Sequence, residues 1–184
     1  AGPRLEDLAG LGEAKAWGLD LAADLEDHRA GLLPWAEIDR GILLHGPPGV
    51  GKTQFAKALA RTCNAPLVTG SLAQWQAAKE GHLGTTLGAM RAFFDAARRA
   101  AGPVAIALVD ELDSFGDRRQ FGHNAKDYAT QVVNGFLELC DGAADRGKII
   151  LVGTTNNIDR IDPAILRPGR FEKVVEIPRP DAAA

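Results

Sequence analysis

The segment that most constrains this chain is residues 46–53, which read Gly-Pro-Pro-Gly-Val-Gly-Lys-Thr. Three glycines let successive backbone N–H groups turn inward around an anion, and a lysine followed by a hydroxyl matches the loop that cradles nucleotide phosphates. Residues 42–44 before it are an apolar run typical of a buried strand, and residues 53–61 after it have helical spacing. A strand, a glycine-rich turn and a helix in this order predict an α/β domain that binds a Mg-nucleotide.

Positions within this loop have distinct expected roles. Lys52 should reach the outer phosphates of a nucleoside triphosphate, and the Thr53 hydroxyl should ligate Mg²⁺. The residues that we expect to contact the nucleotide are Pro48, Gly49, Val50, Gly51, Lys52, Thr53 and Gln54. The alternative, a glycine-rich surface turn that happens to end in Lys-Thr, is disfavoured because all eight positions match in a suitable context.

Five short runs rich in Val, Ile and Leu predict strands. They are residues 42–44, 67–68, 104–109, 149–152 and 174–177. Helical patterns alternate with most of these runs, and strands that are apolar on both faces with helical crossovers favour a mainly parallel sheet between helical layers. We therefore expect a three-layer αβα sandwich around a five-stranded sheet.

Two longer segments have helical patterns. Residues 5–40 are mostly helical in pattern, with leucines recurring as far as Leu33 and Pro34 ending the segment. Residues 85–101 carry a stripe on one helical face that we expect to face the core, made of Leu87, Met90, Phe94, Ala97 and Ala101. A length of 184 residues allows one domain with a full hydrophobic core.

Composition excludes several classes of protein. The chain is 46% hydrophobic and 24% charged, with no apolar run as long as a membrane span and no signal-peptide core, so we expect a soluble, cytoplasmic domain. The net charge of −3 gives no general attraction to nucleic acid.

Cys63 and Cys140 lie far apart in helical apolar patterns, which favours buried thiols. The four histidines have no metal-ligand spacing, so we expect no metal site built by the protein alone.

The third predicted strand ends in two acids, Asp110 and Glu111. Ligands bind at the carboxyl ends of the strands in a parallel sheet, so both acids should lie beside the phosphate loop. Asp110 can hold Mg²⁺ through a water, and Glu111 can polarise the water that attacks the γ-phosphate. Acids solvated at a strand end are the alternative. Two acids rather than one favour hydrolysis over binding alone.

Two later segments supply further candidates. Asn156 follows the fourth predicted strand and is expected near the γ-phosphate, where an amide can orient water, although an Asx turn is its ordinary alternative. Asp162 is placed to cap a short helix that begins at Pro163. Arg167 and Arg170 then flank a Pro-Gly break. Rigidly held guanidinium groups suit phosphate oxygens, while a surface salt bridge is the more common role of such a pair.

Together these motifs closely resemble, in order and spacing, those of the AAA group of AAA+ ATPases. The resemblance covers nearly the whole chain, and its most specific part is Asp-Pro-Ala-Ile-Leu-Arg-Pro-Gly-Arg-Phe-Glu at residues 162–172. It implies that residues 1–184 are a large AAA nucleotide-binding subdomain. Such a subdomain hydrolyses ATP with Mg²⁺ and couples hydrolysis to the remodelling, unfolding or translocation of protein substrates, usually as a homo-oligomeric hexameric ring.

The resemblance also implies a role for each candidate in the site. Catalytic roles fall to the Walker B glutamate, the sensor-1 asparagine and two arginine fingers that complete the neighbouring subunit's site, here Glu111, Asn156, Arg167 and Arg170. The Walker A pair is Lys52 and Thr53, and Thr53 holds Mg²⁺ together with the Walker B aspartate Asp110. The segment that lines the adenine pocket in the family is matched by Leu8, Ala9 and Gly10.

Contacts with a protein substrate are implied at two further segments. His82, Leu83 and Gly84 stand where the family's first pore loop has an aromatic residue, an aliphatic residue and glycine, so this chain departs from the family at the aromatic position. Trp75 is an alternative gripping residue, although a large aromatic on a helical pattern is more often part of the core. Residues 118–124 match the second pore loop, or else form an ordinary surface loop.

The family's helical lid has no match after residue 180, so the chain is expected to be a domain of a longer parent and to be monomeric as an isolated fragment. An AAA zinc metalloprotease, anchored in a membrane with this domain facing the cytoplasm, is one possible parent. Two other classes of function stay open. One is a nucleotide-gated assembly scaffold with little turnover, and the other is a nucleic-acid motor, which the acidic net charge and the Arg-Pro-Gly-Arg segment disfavour.

Overall fold

The computed structural model describes residues 1–77, 81–100, 102–116, 121–146, 148–171 and 173–180. The helices are α1 (Glu13–Arg29), α2 (Lys52–Thr62), α3 (Leu72–Ala77), α4 (Leu83–Arg99) and α5 (His123–Arg146). The strands are β1 (Gly41–His45), β2 (Leu67–Ser71), β3 (Ala105–Asp110), β4 (Ile149–Thr155) and β5 (Lys173–Glu176). Short 3-10 turns occupy Leu5–Asp7, Trp35–Glu37, Leu112–Phe115, Ile158–Arg160 and Pro163–Leu166.

The five strands form one sheet in the order β2-β3-β4-β1-β5, and every pairing in it is parallel. All five predicted strands are therefore confirmed, and the described sheet is wholly parallel rather than mainly so. The register aligns strand ends, with Ser71 opposite Asp110 and His45 opposite Thr155. Because the carboxyl ends of parallel strands share one edge, the segments that follow β1, β3 and β4 meet there.

Two buried cores lie on opposite faces of the sheet. One packs α3, α4 and α5 against residues such as Leu43, and the other packs α1 and α2 against Ile42 and Leu44. Alternate residues of β1 enter different cores because successive side chains in a strand point to opposite faces. The predicted three-layer αβα sandwich is confirmed.

The first helical segment is shorter than its sequence pattern suggests. α1 ends at Arg29, and Gly31 follows with a left-handed φ of 76°. The N–H of Gly31 donates to His28 O at 3.0 Å and the N–H of Leu32 donates to Asp27 O at 2.8 Å, which is a Schellman ending. Leu32, expected to continue the helical stripe, lies beyond this ending and is 77% exposed.

The helix predicted over residues 85–101 starts two residues earlier than expected. α4 begins at Leu83, with His82 as its N-cap. Met90, Phe94 and Ala97 of the predicted stripe are buried and Leu87 packs against the same core, while Ala101 lies outside the described residues. In the part of the chain that the structure describes, we find no helix whose length and hydrophobicity would suit a membrane span.

Candidate nucleotide site

A cleft of about 550 Å³ opens at the carboxyl edge of the sheet. The phosphate loop and the start of α2 form one wall, and the ends of β2, β3 and β4 form the other. The lining residues are Pro48, Gly49, Gly51, Lys52, Thr53, Gln54, Thr69, Gly70, Ser71, Gln74, Asp110, Glu111, Thr154 and Asn156. Every predicted nucleotide contact in residues 48–54 lines this cleft except Val50, which packs against the core beneath α2.

The backbone of the loop explains its glycines. Gly51 has a φ of 100° and is the N-cap of α2, so the free N–H groups of the first helical turn point into the cleft. A Cβ on Gly46 would lie 2.2 Å from the backbone oxygen of Ile177, which only glycine avoids. An α-helix that begins at the mouth of a cleft directs its positive dipole end there, and this favours an anionic ligand.

Lys52 lies at the centre of the site and is 8% exposed. Its ammonium donates to Gly46 O at 2.8 Å, to Pro47 O at 2.9 Å and to Asn156 Oδ1 at 2.8 Å. Burial lowers the pKa of Lys52, and the nearby carboxylates of Asp110 and Asp113 oppose that shift. The loop therefore holds a cation in a partly desolvated cleft, where attraction to phosphate is stronger than in open water.

Hydroxyl groups contact the carboxylate of Asp110 and the backbone of Glu111 at the end of β3. Thr154 Oγ1 donates to Asp110 Oδ1 at 2.8 Å and accepts from the N–H of Glu111 at 3.1 Å. Thr53 Oγ1 lies 3.4 Å from the same Asp110 oxygen. Glu111 adopts a left-handed backbone, with φ 57° and ψ 53°, and its exposed side chain lines the cleft. Such a conformation is uncommon outside glycine and is frequent at functional sites.

Three polar residues at strand ends, Thr154, Thr155 and Ser71, were not recognised as site residues in the sequence. Thr154 holds Asp110, Thr155 Oγ1 donates to Asp113 Oδ1 at 2.8 Å, and Ser71 lines the cleft directly opposite Asp110. The signal that could have revealed them is their position at strand ends, since the carboxyl ends of β2, β3 and β4 share one edge.

The donors present suit Mg²⁺. The Thr53 hydroxyl and the Asp110 carboxylate face each other across the mouth of the loop, and hard oxygen ligands are those that Mg²⁺ prefers. Within the described residues there is no group of three or more His, Cys, Asp or Glu side chains that could hold a metal ion by themselves. A magnesium ion in this cleft would therefore rely on few protein ligands together with water and phosphate oxygens.

The residues predicted to line the adenine pocket lie outside the lining of this cleft. Leu8 is half-buried against the core of α1 and α2, and its carbonyl accepts from Lys15 Nζ at 2.8 Å. Ala9 and Gly10 are exposed. Their role toward the base of a nucleotide stays a prediction.

Arg167 and Arg170 also lie outside the cleft of their own chain, and their environments differ. Arg170 makes a bidentate ion pair with Asp141 of α5, with both N···O distances 2.9 Å, and donates to Ala164 O at 2.8 Å. Arg167 is exposed and makes no hydrogen bond or ion pair within the described residues. The salt-bridge alternative thus describes Arg170 in this conformation and does not describe Arg167.

The predicted pore-loop residues lie at the start of α4. His82 is exposed, whereas Leu83 is half-buried against the core of α3, α4 and α5. Trp75 is 5% exposed and packs against Phe93, Phe115 and Phe136, so it belongs to the core rather than to a gripping surface. Residues 118–120 of the second predicted pore loop lie outside the described residues, as do the side-chain details of Asn124.

A parallel sheet, a glycine loop between β1 and α2, and paired acids at the end of β3 define a phosphate-loop NTPase. Residues 42–179 match the family model described as "ATPase family associated with various cellular activities (AAA)". The chain therefore belongs to the AAA family of ATPases and is an ATP-hydrolysing enzyme domain.

Curated relatives agree with this assignment. The chain is 38% identical over 177 residues to ATP-dependent zinc metalloprotease FtsH 3 of Sphaerobacter thermophilus, covering 96% of this chain and 35% of that protein. It is 39% identical over 181 residues to ATP-dependent zinc metalloprotease FtsH 1 of Symbiobacterium thermophilum, covering 96% and 29%. The corresponding protein of Ureaplasma parvum is 34% identical over 183 residues, covering 98% and 24%. The chain thus spans about a quarter to a third of the length of these relatives.

Proposed function

We propose that this domain hydrolyses ATP with Mg²⁺ and couples hydrolysis to the remodelling, unfolding or translocation of protein substrates. The observation that carries the proposal is the meeting of Lys52, Asp110 and Asn156 at one edge of the sheet, although they are far apart in sequence. Membership of the AAA family and similarity to proteins named as ATP-dependent metalloproteases support a protein substrate. We assign residues 1–184 to one large nucleotide-binding subdomain. We further propose that this subdomain lies in the cytoplasm as part of a longer protein.

Each residue of the cleft has a distinct role in hydrolysis. Lys52 and the first-turn amides of α2 bind the phosphates, and Thr53 with Asp110 would hold Mg²⁺, which would neutralise charge on the phosphate oxygens when bound. Glu111 accepts a proton from the attacking water, and Asn156 orients that water. The hydrogen bond from Lys52 to Asn156 supports this placement, because it brings the amide beside the group that binds the outer phosphates.

We further propose that Arg167 and Arg170 act on the site of a neighbouring copy in a homo-oligomeric ring, which we expect to be a hexamer. Their position outside the cleft of their own chain supports action in trans. A guanidinium group supplied by a neighbour can accelerate phosphoryl transfer by several orders of magnitude. For Arg170 this role requires that its pair with Asp141 be exchanged for phosphate oxygens.

Replacing Glu111 by Gln in the full-length protein that carries this domain tests hydrolysis directly. The amide cannot accept the proton, so phosphate release should fall about a hundredfold or more while nucleotide binding is retained. Glu138→Gln, an exposed position on α5 away from the cleft, is the matched control and should keep the wild-type rate. Equal rates for wild type and Glu111→Gln would contradict the enzymatic proposal and favour a nucleotide-gated assembly scaffold.

A further inference from the structure

The chain has a single tyrosine, Tyr128, and its hydroxyl joins three separate parts of the polypeptide. It donates to Gly81 O at 2.9 Å, and it lies 3.3 Å from both Gln76 Nε2 and Thr86 Oγ1. A phenol has one proton and two acceptor lone pairs. Because the carbonyl of Gly81 can only accept, the phenol proton goes there, and Gln76 and Thr86 act as donors. The hydroxyl group therefore has no free hydrogen-bonding capacity.

These three partners lie on both sides of the connection between α3 and α4. Gln76 is in the last turn of α3, Gly81 immediately precedes the N-cap of α4, and Thr86, which is fully buried, is in the first turn of α4. Gly81 has a left-handed φ of 70°, so the backbone turns sharply where the phenol holds it. The first segment expected to contact a protein substrate, with His82 and Leu83, starts at this held position.

Tyr128 itself lies in the second turn of α5, shortly after the second such segment, residues 118–124. Its ring packs against the core of α3, α4 and α5 and also lines a cavity of about 360 Å³ together with Phe115 and Phe121. Phe121 is 39% exposed and its ring lies over Gly116, where a Cβ would be 2.6 Å from the ring. One side chain on α5 thus holds the start of the first predicted substrate segment, and it does not line the nucleotide cleft.

We propose that Tyr128 is a positioning residue for the protein substrate: its hydroxyl holds the backbone of Gly81 against α5 and so sets the position of the first substrate segment, which starts at His82. This inference rests on the proposed function, since it concerns the same coupling of ATP hydrolysis to work on a protein. It predicts a defect in substrate engagement and none in nucleotide binding.

Tyr128→Phe in the full-length protein is the direct test, because it removes the hydroxyl and keeps the ring in the core. The probe is β-casein, a polypeptide without a stable fold, added in increasing amounts during steady-state ATP turnover. We expect the casein concentration for half-maximal stimulation to rise about fivefold, the effect of one hydrogen bond. The basal rate and the KM for ATP should match those of wild type, which a general loss of structure would not allow.

Two further variants separate positioning from stability. Thr86→Val removes a buried hydroxyl that donates to the phenol of Tyr128 but leaves the bond from Tyr128 to Gly81. Casein should therefore stimulate ATP turnover by this variant at the same concentrations as for wild type. Gln76→Leu also leaves that bond, and we expect the same response to casein. Amide hydrogen exchange should be faster at residues 81–86 in Tyr128→Phe alone.

The outcomes distinguish the two proposals. If casein stimulates wild type and Tyr128→Phe at the same concentrations, the inference about Tyr128 is wrong and the proposed function stands. If wild type hydrolyses ATP without any response to casein or to other unfolded polypeptides, the proposed coupling fails and this inference fails with it. If Thr86→Val is as defective as Tyr128→Phe, burial rather than positioning explains the effect and the inference is overturned.

Discussion

Lys52 combines two properties that seldom occur together, a position in the interior and a positive charge. Its three acceptors are two carbonyls of the phosphate loop and the amide of Asn156, which lines the cleft, so its partners are polar groups rather than members of the hydrophobic core. The cost of burying its charge is consistent with its lowered pKa. We expect such a residue to serve the ligand and to add little to the stability of the fold.

We therefore expect Lys52→Ala to abolish detectable nucleotide binding while changing the free energy of unfolding by no more than about 1 kcal/mol. Calorimetric titration with ATP and urea unfolding measure the two effects. Lys57→Ala, an exposed lysine on the same helix, is the control and should bind ATP like wild type. A variant at Lys52 that does not fold would show that the lysine serves the core after all.

Cys63 provides a prediction about pH. Its thiol is 1% exposed, and burial raises its pKa from 9.0 to about 12. The folded state therefore holds the thiol proton more tightly than the unfolded state, so this contribution to stability is fully present below pH 9.0 and is lost as pH rises toward 12.

The free energy of unfolding of wild type, compared with Cys63→Ala, should accordingly fall with pH above 9.0, with a slope of up to about 1.4 kcal/mol per pH unit. Urea unfolding of both proteins at pH values from about 7 to about 10 gives this difference. Cys63→Ala also leaves a small cavity, which shifts the difference by a constant and does not affect its slope. A difference that is independent of pH would mean that the thiol is not protected by the fold.

Among the elements, the 3-10 turn at Pro163–Leu166 depends on one capping side chain. Asp162 is 2% exposed, and its Oδ1 accepts from the N–H of Ala164 at 3.0 Å. Pro163 occupies the first position of the turn, as predicted from the sequence. The turn ends at Leu166 with Arg167 as its C-cap, so we expect its geometry to affect where Arg167 and Arg170 lie.

Asp162→Ala should lower the free energy of unfolding by about 1 to 2 kcal/mol, the usual cost of losing a cap. The control is Asp159→Ala, an exposed aspartate in the preceding 3-10 turn, which should cost little. Urea unfolding of the two variants under the same conditions measures the contrast. Equal stabilities would remove the proposed role of this cap.

The bounds of two helices differ from those that the sequence patterns predicted. The leucine pattern of residues 5–40 continues past the end of α1, because periodicity does not register the left-handed Gly31 that ends the helix. α4 begins at Leu83 rather than at the predicted residue 85, because Leu83 packs against the core and extends the first turn. Both differences follow from backbone conformation and packing, to which a hydrophobic pattern is insensitive.

At the scale of the whole molecule, the described surface exposes few large apolar side chains. Those found are Leu32, Phe121 and Val174. Large contiguous apolar patches mark interaction sites, whereas apolar residues exposed singly are ordinary for a surface. We propose that ring formation depends on a bound nucleotide and on its contacts with Arg167 and Arg170 of the next copy.

The 184-residue chain should accordingly be monomeric at low concentration without nucleotide. Light scattering coupled to size exclusion measures its mass directly. The mutant Arg167→Ala should show the same mass without nucleotide, since the role that we propose for Arg167 is a contact with a neighbouring copy. A stable hexamer of the isolated chain without nucleotide would contradict this expectation.

The sequence by itself determined the five strands, their parallel arrangement, the phosphate loop and the two acids, because each depends on local patterns and on the rule that parallel strands end at one edge. Only the tertiary structure decided which side chains meet. Thr154 holds Asp110, Asp141 holds Arg170 and Tyr128 holds Gly81 across separations of 44, 29 and 47 residues. Such contacts depend on side-chain direction and on how helices pack on the sheet, so no pattern along the chain reveals them.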